Sequence, residues 1–418
     1  MRAAYAGPME DPTQVPTPAG EAEGSGHGAP TGADSAVPTA AAPPPEAPES
    51  PEAAQASRSE AHRIARGLYA WLMVVAFGGL GSALFGQEEG AFFFALAGVL
   101  ILAQATDAAV AVRGYKDWVE MNVPRRQFRG VLFRVLVRAI VPMIGALFFT
   151  GIGAWALSGG SGGLVDYSFA AWWCFASALV CVLLVWRPAA DFVTRLCFRT
   201  GAVGRTRRLT ARVVVMVLLL PVPMRLLFPE LMEVLKASEE PLATPGGLIV
   251  QLLGEIVIAL AGVGLLVRRD WRQTLERLGM TAMKPAHWLV AALGLGAIIA
   301  LNSGMEWMQQ RWFHDLWLQD TEVTKLIAAD LPVATTLLLG LSAGLGEEIS
   351  LRGALQPRLG IVLTAVVFAS LHVQYSWVGM LTIALLGALL GLVRSRTNTT
   401  TAILIHALYD VFAVLSSH

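Results

Sequence analysis

The chain has 418 residues, 55% of them hydrophobic and only 15% charged, with a mean hydropathy of +0.57, which excludes an ordinary soluble globular protein and points to an integral membrane protein. Thirty-one basic residues balance 31 acidic ones, so no bulk basic field invites nucleic acid as a partner. The three cysteines, Cys174, Cys181 and Cys197, are an odd number with the first two in an apolar stretch, and they support neither a disulfide framework nor a cysteine metal site.

Residues 1–62 are rich in Pro, Ala, Glu, Gly and Ser, with nine acidic residues against Arg2 and Arg58. Such a segment buries too little surface to offset its chain entropy, so it is expected to form a disordered tail. It lacks the apolar core of a signal peptide and is expected to be retained. From Arg66 onward, apolar runs long enough to cross a hydrocarbon core recur. They fall near 67–86, 90–112, 131–157, 169–186, 212–228, 247–267, 286–305, 332–356, 361–373, 377–393 and 400–416. The expected fold is therefore all-α, a polytopic helical membrane protein of about eleven spans. The run 361–373 is the shortest, reaching only ~20 Å at ~1.5 Å per residue, so it suits a short helix among others. Five spans lie in 63–245, and these carry no chemical signature. Asp107, Arg134 and Arg138 sit near span ends, where ion pairing or snorkelling accounts for them. Gly159 to Gly163 read as a flexible turn, and Trp307, Trp312, Phe313 and Trp317 as an interfacial aromatic belt in the loop after the seventh span.

Basic residues set an expected orientation. With the N-terminus placed inside, the segments on that side hold 23 Lys and Arg, against Lys236, Arg311 and Lys325 on the other. This asymmetry predicts N-in and C-out with an odd number of crossings. The preponderance of Arg over Lys suits a GC-rich bacterial genome, and so a bacterial cytoplasmic membrane.

Chemistry concentrates near the C-terminus. Glu347 and Glu348 follow a long apolar run, and Arg352 stands four residues after Glu348, on the same helical face. Ionised groups persist within membranes mainly where they pair or line a cavity. His372 follows in Phe368-x-x-x-His372, and His406 and Asp410 form His406-x-x-x-Asp410. On the predicted topology all four of Glu347, His372, His406 and Asp410 fall at mid-depth or nearer the inner face. A carboxylate, two imidazoles and a further carboxyl at one depth supply a base for water and donors for an oxyanion. The same set can instead ligate a divalent metal such as zinc. Glu255, inside the sixth span, lines the cavity or makes a polar helix contact, the two readings being equally open.

In this order on successive apolar segments, Glu347-Glu348-x-x-x-Arg352, Phe368-x-x-x-His372 and His406-x-x-x-Asp410 resemble the three motifs of the CPBP family (CAAX protease and bacteriocin-processing, also called Abi), which includes the Ras-converting CAAX endoproteases. The stretch Arg272 to Met280 is similar to the loop that often precedes this core. The resemblance covers about 331–416, or 246–418 with the preceding spans, and implies an intramembrane protease domain over 246–418. It implies that Glu347 and His372 polarise the attacking water, that His406 and residue 410 face the scissile carbonyl, and that Glu348 and Arg352 orient the site. Many members have Asn where this chain has Asp410. An ionised Asp cannot donate to an oxyanion, so Asp410 works protonated, orients His406, or ligates a metal. The family has been described both as metalloproteases and as metal-independent glutamic proteases, and the sequence fits either. The implied activity is endoproteolysis of a membrane-associated or secreted protein or peptide. The rival readings are a non-proteolytic bacteriocin-immunity or scaffold protein, and a proton-coupled transporter relaying through the same groups.

Overall fold

The computed structural model describes residues 51–84, 88–111, 127–158, 167–198, 203–227, 232, 243–328 and 331–416. Most of the expected disordered tail, the glycine turn at 159–163 and the basic residues 113–126 lie outside the described residues. Residues 51–62, assigned to that tail from composition, are instead the first turns of a 34-residue helix, α1 (Pro51–Leu84). Pro51 opens it, and Ala, Glu and Gln, good helix formers, fill those turns.

The described chain is helical throughout, apart from an isolated bridge between Leu265 and Arg269. After α1 come α2 (Glu88–Ala111), α3 (Gln127–Leu157), α4 (Ser168–Leu183), α5 (Arg187–Phe198), α6 (Arg205–Leu219) and the short α7 (Pro221–Leu226). Next are α8 (Pro245–Val263), α9 (Trp271–Leu278), α10 (Pro285–Trp312), α11 (His314–Ala328) and α12 (Val333–Ser342). The wide helix π1 (Ala343–Leu355) leads into α13 (Gln356–Ser370), and α14 (Trp377–Arg396) and α15 (Thr399–Ser416) complete the chain. The aromatic residues expected in a loop therefore lie on helices, Trp307 and Trp312 on α10 and Trp317 on α11.

Nine of the described helices are long and apolar enough to cross a membrane, ten if α4 and α5, bent by 100°, make one span. The expected short run at 361–373 is not counted apart from the run before it, the two forming one apolar stretch, Val333–Ser370. Gly360 has φ 81° and ψ 173°, which breaks the helical path at a conformation glycine adopts without steric cost. Beyond the break the chain folds back, since the Arg352 guanidinium lies 4.5 Å from the centre of the Phe368 ring. Sixteen residues of straight helix would instead separate them by ~24 Å. The return is completed by a short helix to Ser370 and a turn to Ser376, which caps α14 at Gly379.

Asp320 on α11 anchors that turn. Its Oδ1 accepts from the Ser376 backbone N–H at 2.6 Å, and its Oδ2 accepts from Ser376 Oγ at 2.7 Å and Gln309 Nε2 at 2.5 Å. All three donors are buried, and Asp320→Ala leaves them only the 3.4 Å bond from Gln309 Nε2 to Ser376 Oγ. It should cost about 3 kcal/mol, the scale of charged hydrogen bonds lost at a buried cap, read as a lowered unfolding midpoint of the detergent-purified protein.

The N-terminal helices pack directly on this C-terminal half. Trp71 donates to the Leu265 carbonyl at 2.7 Å, and Gln104 donates to that of Gly262. Phe93 fills the space that a Cβ on Gly254 would need. On another side, Cys197, Phe198, Ala211 and Val214 form one buried cluster with Leu351, Leu359, Val367 and Phe368. The first spans thus wall the helices that bear the polar motifs. The three cysteines are buried and free.

Candidate active site

The Glu347-Glu348-x-x-x-Arg352 motif lies wholly within π1. A π-helix is wider than an α-helix and is found mostly as short bulges, often at functional sites. Its surroundings explain how such a helix is accommodated here. Gly344 lies against the Ala407 backbone and Gly346 against the Glu255 carboxyl, where an added Cβ would stand 2.7 Å from Ala407 N and 2.1 Å from Glu255 Oε2. Small residues let the wide helix approach α15 and α8 closely enough to share polar groups with both.

Glu348 is the centre of the arrangement. It and Arg352 have no exposed side-chain surface, and they pair at 3.2 Å. Arg352 is held from its other side by the Gly387 carbonyl, to which Nη2 donates at 3.2 Å, and by the Phe368 ring. The same Glu348 Oε1 accepts from His406 Nδ1 at 2.9 Å. This contact fixes the imidazole plane and leaves Nε2 as the nitrogen that faces the remaining acids. Those acids are Glu347, whose Oε2 is 4.0 Å from Nε2, and Asp410, whose Oδ2 is 3.5 Å away.

Three of the four expected site residues therefore converge around one ring nitrogen. The fourth, His372, is placed through Phe368, whose ring meets both imidazoles edge-on, at 4.8 Å for His372 and 6.0 Å for His406. His372 was expected on the helix but sits just beyond its end, in a turn. There Nδ1 is 2.9 Å from the Phe368 carbonyl. A carbonyl only accepts, so Nδ1 carries the proton and a neutral ring keeps its Nε2 lone pair free.

A further carboxyl joins these groups. Glu255 on α8 reaches across to π1, accepting from Gln251 at 3.2 Å, and its backbone carbonyl accepts from Ser350 Oγ at 2.9 Å. Its Oε2, like the Oε2 atoms of Glu347 and Glu348, is buried without a hydrogen-bond partner. Of the readings open for Glu255 in the sequence, the structure shows the helix contact, its carboxyl packed on Gly346 of π1. Three buried carboxylate oxygens without donors are costly unless a polar guest or water meets them.

Among the described residues, no group of three or more His, Cys, Asp or Glu side chains is arranged to hold a metal ion. The donor set does not fit a metal centre, and no step below passes through one. Asp107 has a structural use, capping α6 through the backbone N–H groups of Arg205 and Thr206, each at 3.0 Å.

Comparison with known proteins bears on this region. Residues 329–412 match the family model described as Type II CAAX prenyl endopeptidase Rce1-like. The chain is 28% identical over 162 residues to the uncharacterized protein YpbD of Bacillus subtilis (strain 168), a stretch covering 38% of this chain and 82% of that protein. No solved structure matches.

Proposed function

Since the C-terminal region of this chain is an Rce1-like type II CAAX prenyl endopeptidase domain of the CPBP family, we propose that it is an intramembrane endopeptidase acting on a membrane-associated or secreted protein or peptide. One observation carries the reading: Glu347 presents a buried, unpartnered Oε2 beside His406 Nε2, the position from which a base takes a proton from water. Glu347, with the free Nε2 of His372, takes that proton as the water oxygen bonds to the scissile carbonyl carbon. The carbonyl oxygen becomes an oxyanion, met by Nε2–H of an imidazolium His406 and by the Asp410 carboxyl as a donor. Glu348 balances and orients His406, and Arg352 in turn holds Glu348, much as a carboxylate orients the histidine of a serine-protease triad. When the tetrahedral intermediate collapses, the C–N bond breaks and the proton on Glu347 passes to the departing amine.

The site would then be reached from the inner side or laterally from lipid, with the N-terminus inside and the C-terminus outside. The domain boundaries follow as 63–245 for the first membrane region and 246–418 for the peptidase, with 1–62 extending from the first. Prenylated C-termini are substrates of eukaryotic members. For a bacterial chain, a secreted peptide, bacteriocin or anchored protein is the better candidate.

Asp410 gives the test of this assignment. In the structure Glu348, not Asp410, holds the orienting position at His406 Nδ1, and Asp410 lies 3.5 Å from Nε2. If Asp410 works as an oxyanion donor, Asp410→Asn keeps an N–H at the same place, and turnover of a reconstituted substrate should remain within about tenfold of wild type. A folded but inactive Asp410→Asn enzyme restored by zinc would instead make the residue a metal ligand and refute the assignment.

A further inference from the structure

Away from the acidic site, several of the helices gather arginines at one end. Gln104 and Trp71 fix the turn after α8 from two other helices, and within it Leu266 takes a positive φ of 62°, a strained conformation for a residue with a branched side chain. Arg268 and Arg269 lie on this turn. Arg268 donates to Gln104 Oε1 at 3.1 Å, and Arg269 donates to the Val263 carbonyl. Arg277 on α9 donates to the carbonyls of Gly353 and Ala354 at 2.9 and 3.3 Å, at the end of π1. Arg358 stands one helical turn beyond Ala354, on the same face as that carbonyl. Gln356 donates to the Gly391 carbonyl at 2.8 Å, which brings the end of α14 alongside, and Arg394 follows within a turn.

Helix-end carbonyls account for Arg269 and Arg277. They leave the charge of the group uncompensated. None of Arg268, Arg269, Arg277, Arg358 and Arg394 has a carboxylate within ion-pair distance among the described residues, and Arg358 has no hydrogen-bond partner there either. By contrast Arg205, Arg208 and Arg272 each have an acid within 4 Å. Burial, then the neighbouring charges of Arg269 and Arg394, hold the Arg277 guanidinium down at about 10, so it is still cationic at neutral pH. Orientation of the chain in the membrane needs basic residues on one side, but not their convergence around a rigid turn.

We propose that Arg268, Arg269, Arg277, Arg358 and Arg394 form a binding site for the phosphate of an anionic phospholipid headgroup. Guanidinium groups match phosphate oxygens in geometry and charge. These five lie at or next to the ends of α8, π1 and α14, at headgroup level for spans of this length. The bound phosphate would also steady Arg277, which grips the last carbonyls of the helix carrying Glu347 and Glu348. The site is independent of the peptidase reading, because its test is binding.

The full-length protein is purified, and retained lipid is measured by native mass spectrometry and by the unfolding midpoint. It is challenged with phosphatidylglycerol, phosphatidylcholine or inorganic phosphate. Phosphatidylglycerol should stay bound and raise the midpoint, whereas phosphatidylcholine should do neither. Arg358→Gln should weaken phosphatidylglycerol binding about fivefold, the usual worth of one basic residue at an anionic surface. The exposed Arg272→Gln, an equal change of charge outside this group of five, should not. Equal effects of Arg358→Gln and Arg272→Gln, or equal retention of the two lipids, would overturn the proposal. Inorganic phosphate reproducing the full midpoint shift would also overturn it, by making the ligand a free anion. Should Arg358→Gln fail to fold, Arg268→Gln supplies the same comparison.

Discussion

Glu347→Gln should lower turnover by roughly 10² to 10⁴, the usual share of general-base catalysis, and should leave the protein folded. The carboxamide keeps the shape of the side chain but cannot take the water proton. The structure gives a reason to expect a modest loss of stability: Glu347 Oε2 has no hydrogen-bond partner to lose, only its 4.0 Å approach to His406 Nε2. Single-turnover assays of the reconstituted protein, with unfolding midpoints measured in parallel, separate the two effects. A folded Glu347→Gln protein with wild-type turnover would remove Glu347 from the chemistry.

Arg352→Ala should act in the opposite manner, through the fold. It deprives Glu348 of its ion partner where neither side chain has exposed surface, and breaking such a buried pair costs about 3–5 kcal/mol. It also empties the space between the Gly387 carbonyl and the Phe368 ring that the guanidinium fills. Glu348 would then keep His406 as its one remaining ion partner. The expected result is little folded protein in the membrane fraction and a sharply lower unfolding midpoint. Normal accumulation with a wild-type midpoint would show that the pair contributes nothing to the scaffold.

Much of this arrangement is legible in the sequence, because charge is expensive in an apolar segment. Glu347, Glu348, Arg352, His406 and Asp410 stand out against their surroundings, and a four-residue spacing suffices to pair Glu348 with Arg352. The contact between Glu348 and His406 is different in kind. It joins residues 58 apart on two helices whose packing depends on Gly344 meeting Ala407, and no local pattern encodes that. The widening of 343–355 into a π-helix is hidden for the same reason, since hydropathy does not distinguish it from an α-helix.

Gly360 stands where the apolar runs 332–356 and 361–373 part in the sequence. What the pattern does not show is that this glycine takes a positive φ and turns the chain back, so that the second run packs on the first. Glu255 shows the limit most clearly. As an acid in an apolar span it is conspicuous, yet its approach to Glu347 depends on the missing side chain of Gly346, a feature of space and not of pattern. Residues 51–62 show the converse. Their polar composition suggests a tail, but they continue a helix whose apolar part begins later.

The central claim is that this chain cuts peptide bonds with Glu347 as the base. It is tested most directly in cells producing either the wild-type chain or Glu347→Ala at equal levels, by labelling the new protein termini in membrane and secreted fractions. The account predicts at least one membrane-associated or secreted protein whose cleaved terminus is abundant with wild type and lost with Glu347→Ala, the uncut form accumulating in its place. Identical sets of termini in the two strains, with both proteins folded in the membrane, would contradict it and leave a binding or transport role for the same buried acids.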